Sequence, residues 1–171
     1  GTVALGPFTR TQATADTTIR QIPYDRAAAE SLLDSLGWRE RGADGVRRRG
    51  ARRLTFQANL PSSSRARERA AVLMQEQLRA VGVEMTIDRS EFQTFRTKEV
   101  AGQFDADLAG VRVTPSPRGV RGWWTSDAIP GGGTQNSWHY KSAAFDSAVD
   151  AGLREMDPTR AKADLRRAYQ Q

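Results

Sequence analysis

The sequence predicts an α/β domain: a mostly parallel sheet flanked by helices. Three observations predict it. Apolar residues alternate with polar ones in three short segments, and they recur every three or four positions in the segments between. The resulting order, strand–helix–strand–helix–strand, implies right-handed crossovers and hence parallel strands. The length of 171 residues suits one domain of ordinary size.

Residues 1–20 lack periodicity and are rich in Gly, Pro and Thr, which reads as an extended lead-in. Asp25 then offers an N-cap to a helix carrying Ala28, Leu32, Leu33 and Leu36, with Gly37 as its stop. A basic turn follows. Leu54, Phe56, Ala58 and Leu60 alternate as a strand, which Pro61 and Ser62 to Ser64 are expected to break. The next helix bears Ala70, Leu73, Met74, Gln77, Leu78 and Val81, and Gly82 closes it. Val83, Met85 and Ile87 form a second strand. Ser90-Glu91-Phe92-Gln93 reads as a capping box opening a short helix that ends at Gly102. Phe104, Ala106, Leu108 and Gly110 mark the third strand. Leu73, Met74, Leu78, Phe92 and Phe95 are expected in the core. Two helices end the chain, one capped by Ser142 and bearing Phe145, Val149 and Leu153, the other begun by Asp157-Pro158 and bearing Ala161, Leu165 and Tyr169. The helical pattern still runs at Gln171, so truncation there is expected.

Composition excludes several chemistries. Without cysteine there is no disulfide, thiolate metal site or cysteine nucleophile, and a single histidine argues against multi-histidine metal sites. Asp44-Gly45 has one carboxylate among arginines, too few for a calcium loop. No cofactor is expected. His139 has no acid or nucleophile near it in sequence and reads as a surface residue. Asp105 and Asp107, alternating with the apolar face of their strand, read as strand-end solvation or caps. No segment approaches the ~18 consecutive apolar residues of a membrane span, and GTVALGPFTR does not read as a signal peptide.

The formal charge is +6, and all but three of the 26 basic residues are arginine. Between Trp38 and Arg53 seven arginines face only Glu40 and Asp44. Two readings stand for this run: a solvated turn, or an electrostatic footprint in which Arg47 to Arg53 bind nucleic acid. The run lacks interleaved stacking aromatics and matches no established nucleic-acid motif.

In their order and spacing these segments resemble the extracytoplasmic solute-binding proteins of peptide-type (family 5) ABC transporters. The resemblance runs from YDRAAAESLLDSLGWRERGADGVRRRG through RRLTFQANLPSSSRARERAAVLMQEQLRAVGVEMTIDRSEFQTF and FDADLAGV to NSWHYKSAAFDSAVDAGLREMDPTRAKADLRRAYQQ. It covers Tyr24 to Gln171. It implies one lobe of a type II periplasmic-binding-protein-like fold, with residues 21–171 as the C-terminal lobe of a two-lobed protein, truncated at both ends. It also implies capture of a peptide or similar small solute between two lobes, without covalent chemistry. The implied partners are permease subunits of the transporter and the N-terminal lobe of the same protein. The implied location is periplasmic or extracytoplasmic, with a lipid anchor as one form.

The stretch 112–140 holds Pro115, Pro117, Pro130, five glycines and four large aromatics, with no clear periodicity. A long connection beginning past the end of a sheet strand is a candidate ligand loop. The family's Gly-Trp-x-x-Asp-x-x-Pro falls here on Gly110 to Pro117, with Val111 in place of the Trp and Thr114 in place of the Asp. The family's acidic residue can pair with a peptide ammonium. Thr114 offers only a neutral hydroxyl, and Arg112 reverses the local sign. Trp123, Trp124, Trp138 and Tyr140 either present flat faces to a solute or pin the loop. Asn136 serves either ligand or loop backbone, with loop ordering favoured.

Overall fold

The computed structural model describes residues 6, 10, 12, 14–110, 116–128 and 136–171. They fall into two compact units, one of residues 23–99 and 103–110, the other of 1–22, 100–102 and 111–171.

In the first unit, helix α1 (Arg26–Ser35) starts where expected: the Asp25 carboxylate accepts the Ala28 N–H at 2.9 Å, and Gly37 leaves the helix at φ +86°. The basic run is more ordered than a turn. It folds into a small antiparallel meander, β1 (Glu40–Arg41), β2 (Arg47–Arg49) and β3 (Arg52–Arg53), whose first turn places Gly45 at φ +78°. Asp44, in that turn, accepts the Val46 N–H at 3.1 Å.

The parallel sheet is as expected in kind, with order β5-β4-β6. The central β4 (Thr55–Pro61) pairs along its length with β5 (Glu84–Ser90) and at Ala58 and Asn59 with β6 (Ala106–Asp107). Pro61 ends β4 as its last residue rather than breaking it. Strand β6 is shorter than the alternation suggested. The Asp105 carboxylate takes the Gln57 N–H at 2.9 Å, so a side chain replaces one step of the ladder.

Helix α2 (Arg65–Ala80), capped by Ser64, lies on the face that carries Phe56, Ala58, Leu60, Met85 and Ile87. It meets them through Ala71 and Leu78. Leu73 lies about 160° and Met74 about 60° round the helix from Ala71, and both are exposed, contrary to the expectation that they lie in the core. Small Ala71 lets the helix approach the sheet, and the bulkier pair cannot occupy the same side. Phe92 is likewise exposed while Phe95 is buried; both lie on α3 (Phe92–Val100) with rings 6.5 Å apart. The cap of α3 is displaced by one residue from the predicted box. The Glu91 carboxylate accepts the Gln93 N–H at 2.8 Å, because Ser90 is still in β5 and its hydroxyl meets Lys98.

The second unit has a helical core. Helix α5 (Ala143–Arg154) and helix α6 (Pro158–Tyr169) start at the predicted caps, Ser142 and Asp157. They pack closely because a Cβ on Gly152 would stand 2.6 Å from the Leu165 side chain. Phe145, Val149, Leu165 and Tyr169 form this core with Ala15 and Val120. Val120 belongs to α4 (Arg118–Trp124), a helix not expected from sequence, followed by a 3₁₀ turn at Ser126–Ala128. Two glycines in seven residues hide its periodicity.

Candidate functional site

Trp123, Trp124, Asn136, Trp138 and Tyr140 are brought together in the second unit. Arg112 and Thr114 lie outside the described residues.

The platform is built from α4 and the turn after Asn136. Trp123 and Trp124 end α4, and the Trp138 ring stacks on both, with centroids at 6.3 and 5.4 Å and planes 28° and 18° apart. All three indoles are half-buried. Tyr140 meets Phe145 edge-on at 5.5 Å and packs on the helical core. Offset ring pairs of this kind hold one another without enclosing every face.

Asn136 is fully buried, and its amide is spent on backbone. Its Nδ2 donates to the carbonyls of Thr125 at 3.0 Å and Tyr140 at 2.8 Å, while its Oδ1 accepts the Tyr140 N–H at 3.0 Å. It thus ties the end of α4 to the Trp138 turn. His139, in that turn, is exposed and adopts φ +54°, a left-handed conformation uncommon outside glycine.

Sequence reasoning missed the charged brace behind this platform. Arg121 on α4 reaches Asp127 at 2.6 Å and also pairs with Asp150 of α5. The Thr125 hydroxyl donates to Asp127, and that bond, followed by Arg121, holds the Asp127 carboxyl below its ordinary range. Asp146 accepts the Ser126 N–H at 3.1 Å. The Arg121–Asp150 pair spans 29 positions, so no local pattern announces it.

The arginine run behaves differently from a nucleic-acid footprint. Arg47 is buried, donating through Nε to the Val81 carbonyl at 2.7 Å and through Nη1 to Trp38 at 2.6 Å, and pairing with Asp34. Arg48 and Arg53 share Asp44, Arg53 also meets Glu84 at 3.0 Å, and Arg49 lies 5.1 Å from the centre of the Trp38 ring. Most of this positive charge is therefore used inside the unit. Among the described residues no cluster of His, Cys, Asp or Glu is placed to hold a metal ion, and no helix is long and apolar enough to cross a membrane.

The three-stranded parallel sheet with its crossover helices in one unit and the helical core of the other share the fold of periplasmic binding proteins. The chain belongs to the bacterial extracellular solute-binding proteins, family 5, whose model matches residues 1–131. It is 31% identical over 136 residues to Protein XP55 of Streptomyces lividans, covering 80% of this chain and 24% of that protein. It is 24% identical over 104 residues to the oligopeptide-binding protein AppA of Bacillus subtilis, covering 60% of this chain and 19% of AppA. The AppA structure, solved with a nonapeptide, superposes with a TM-score of 0.84 at 22% identity over 99% of this chain and 34% of AppA. DppA of Helicobacter pylori, in complex with the peptide STSA, gives 0.78 at 23% identity over 96% of this chain and 30% of that one. The chain thus spans about a quarter of XP55's length.

Proposed function

We propose that this chain supplies the C-terminal lobe of the substrate-binding component of an ABC importer. The complete protein captures a peptide or similar small solute between two lobes outside the cytoplasm and delivers it to a membrane permease. The observation that carries this reading is the family match; AppA and DppA, two structural relatives, are each in complex with a peptide. Binding proceeds by closure around the solute, with no covalent step. Trp123, Trp124, Trp138 and Tyr140 offer the apolar faces, and Asn136 orders the turn that carries two of them. Arg112 and Thr114 follow β6 in sequence; with Thr114 neutral, capture of a peptide ammonium there is weak.

Tryptophan fluorescence of the two-lobed protein, titrated with mixed di- to nonapeptide pools, tests this reading. A saturable change that is lost in Trp138→Ala, with the thermal melt otherwise retained, supports it. No change with any pool removes peptides as the solute class. A second test sharpens the loop argument: Thr114→Asp is expected to raise affinity for free-amino peptides over N-acetylated ones.

A further inference from the structure

Strand β5 is the outer strand of its sheet, with one edge unpaired by any strand among the described residues. The Glu84 N–H donates to the Leu54 carbonyl and the Ser90 carbonyl accepts from the Ser62 N–H, so the even-numbered residues of β5 turn their main-chain groups towards β4. In a parallel ladder both groups of one residue face the same neighbour. The groups of Met85, Ile87 and Arg89 therefore face the open edge. One is already engaged: the Gln75 Nε2 of α2 donates to the Met85 carbonyl at 2.6 Å. A side-chain carboxamide there stands where the peptide N–H of an added strand would stand.

Beside this edge runs a groove of about 640 Å³ between α2 and the start of β5, floored at one end by the Asp44-Gly45 turn. Its charges are mostly settled within the unit: Arg41 pairs with Glu30 at 3.8 Å, Asp44 with Arg48 and Arg53, and Glu84 with Arg53. Glu76 and Arg79 line the groove three positions apart on α2, and neither is in a salt bridge among the described residues. Val72, exposed beside them, adds an apolar contact. The groove lies at the N-terminal end of β5. The segment 108–110 leaves the sheet at the end opposite this groove.

We propose that this groove binds an extended peptide segment of a partner protein by strand addition to β5. Such a strand places alternate side chains on the α2 side, about 7 Å apart. A basic and an acidic residue two positions apart complement Glu76 and Arg79, which are about 5–6 Å apart on the helix. Because α2 runs against β5, an antiparallel segment presents them in the order Lys-x-Glu.

The test uses fluorescein-labelled acetyl-Thr-Val-Lys-Val-Glu-Val-Thr-amide and a companion with Lys and Glu exchanged, read by anisotropy and amide hydrogen exchange. The wild-type chain is expected to prefer the first probe about tenfold, and the doubly reversed Glu76→Arg, Arg79→Glu variant to prefer the second. Binding is expected to slow exchange at the Met85, Ile87 and Arg89 amides. Unchanged anisotropy for both probes, or a preference that does not invert, overturns the proposal. Protection confined to residues 116–140 also overturns it, while leaving the solute reading intact.

Discussion

Two asparagines, Asn136 in the helical unit and Asn59 in the sheet unit, are equally buried, at 0% and 1% exposure, and they do opposite things. Asn136 makes three backbone hydrogen bonds and closes the turn under the tryptophans. Asn59 sits mid-sheet, opposite Asp88 on one side and Asp107 on the other, and neither atom of its amide finds a hydrogen-bond partner. A buried amide with its bonds made specifies a local structure; one without them costs its desolvation. The helical unit is therefore organised by polar groups that are satisfied across loops, and the sheet unit by apolar contact on the α2 face, with polar tension on the other.

That contrast can be broken at three points. The largest effect is expected for Asn136→Ala, which strands two carbonyls and one N–H; a loss of about 3 kcal/mol in urea unfolding is expected. The near-UV circular dichroism of the tryptophans should flatten with it, since the Trp138 turn loses its tie. Asn59→Leu is expected to act the other way. Replacing an unpaired buried amide with an apolar side chain of similar size should leave stability unchanged or raise it by about 1 kcal/mol, seen as a higher melting temperature. A clear loss on Asn59→Leu would show that this amide has a bond to lose, and the contrast would fail.

The smallest effect concerns Asp127. Its carboxyl is held low first by the Thr125 hydroxyl and then by Arg121. A depressed carboxyl contributes stability above its unfolded pKa and loses it as pH falls through the folded value. Between wild type and Asp127→Asn, the difference in stability should therefore be constant near neutrality, begin to shrink as pH falls below about 4, and vanish only below the depressed folded value. The exposed position of Asp127 keeps the effect small, because water screens the pair. A difference undiminished at pH 2 would assign the brace to packing instead.

Local signals carried the elements well. Asp25, Ser64, Ser142 and Asp157 each cap the helix that their side chains announce, because a capping bond is satisfied within three residues. The aromatics and Asn136 stood out by type within a loop poor in periodicity, and they do converge. Side choice was less legible. Leu73 and Met74 fit a helical stripe as well as Leu78 does, and only the approach of Ala71 to the sheet selects between them. Helix α4 was hidden because its glycines erase the apolar pattern, although the Ser116 hydroxyl accepts the Arg118 N–H at its start.

The arginine run shows the same division most plainly. Its charge and its turn residues can be read in sequence, and they allow a surface for polyanions. Its meaning depends on Asp34, Val81 and Glu84, which lie up to 34 positions from their arginine partners and meet them only after folding. By itself the sequence determined the α/β class, the parallel order of the strands, the starts of α1, α2, α5 and α6 and the resemblance to the solute-binding family, because each rests on short-range pattern. Only the tertiary structure decided which apolar stripe is buried, which arginine is spent, and that Arg121 braces the tryptophan platform. Those outcomes depend on long-range partners competing for one surface, and no local pattern encodes the winner.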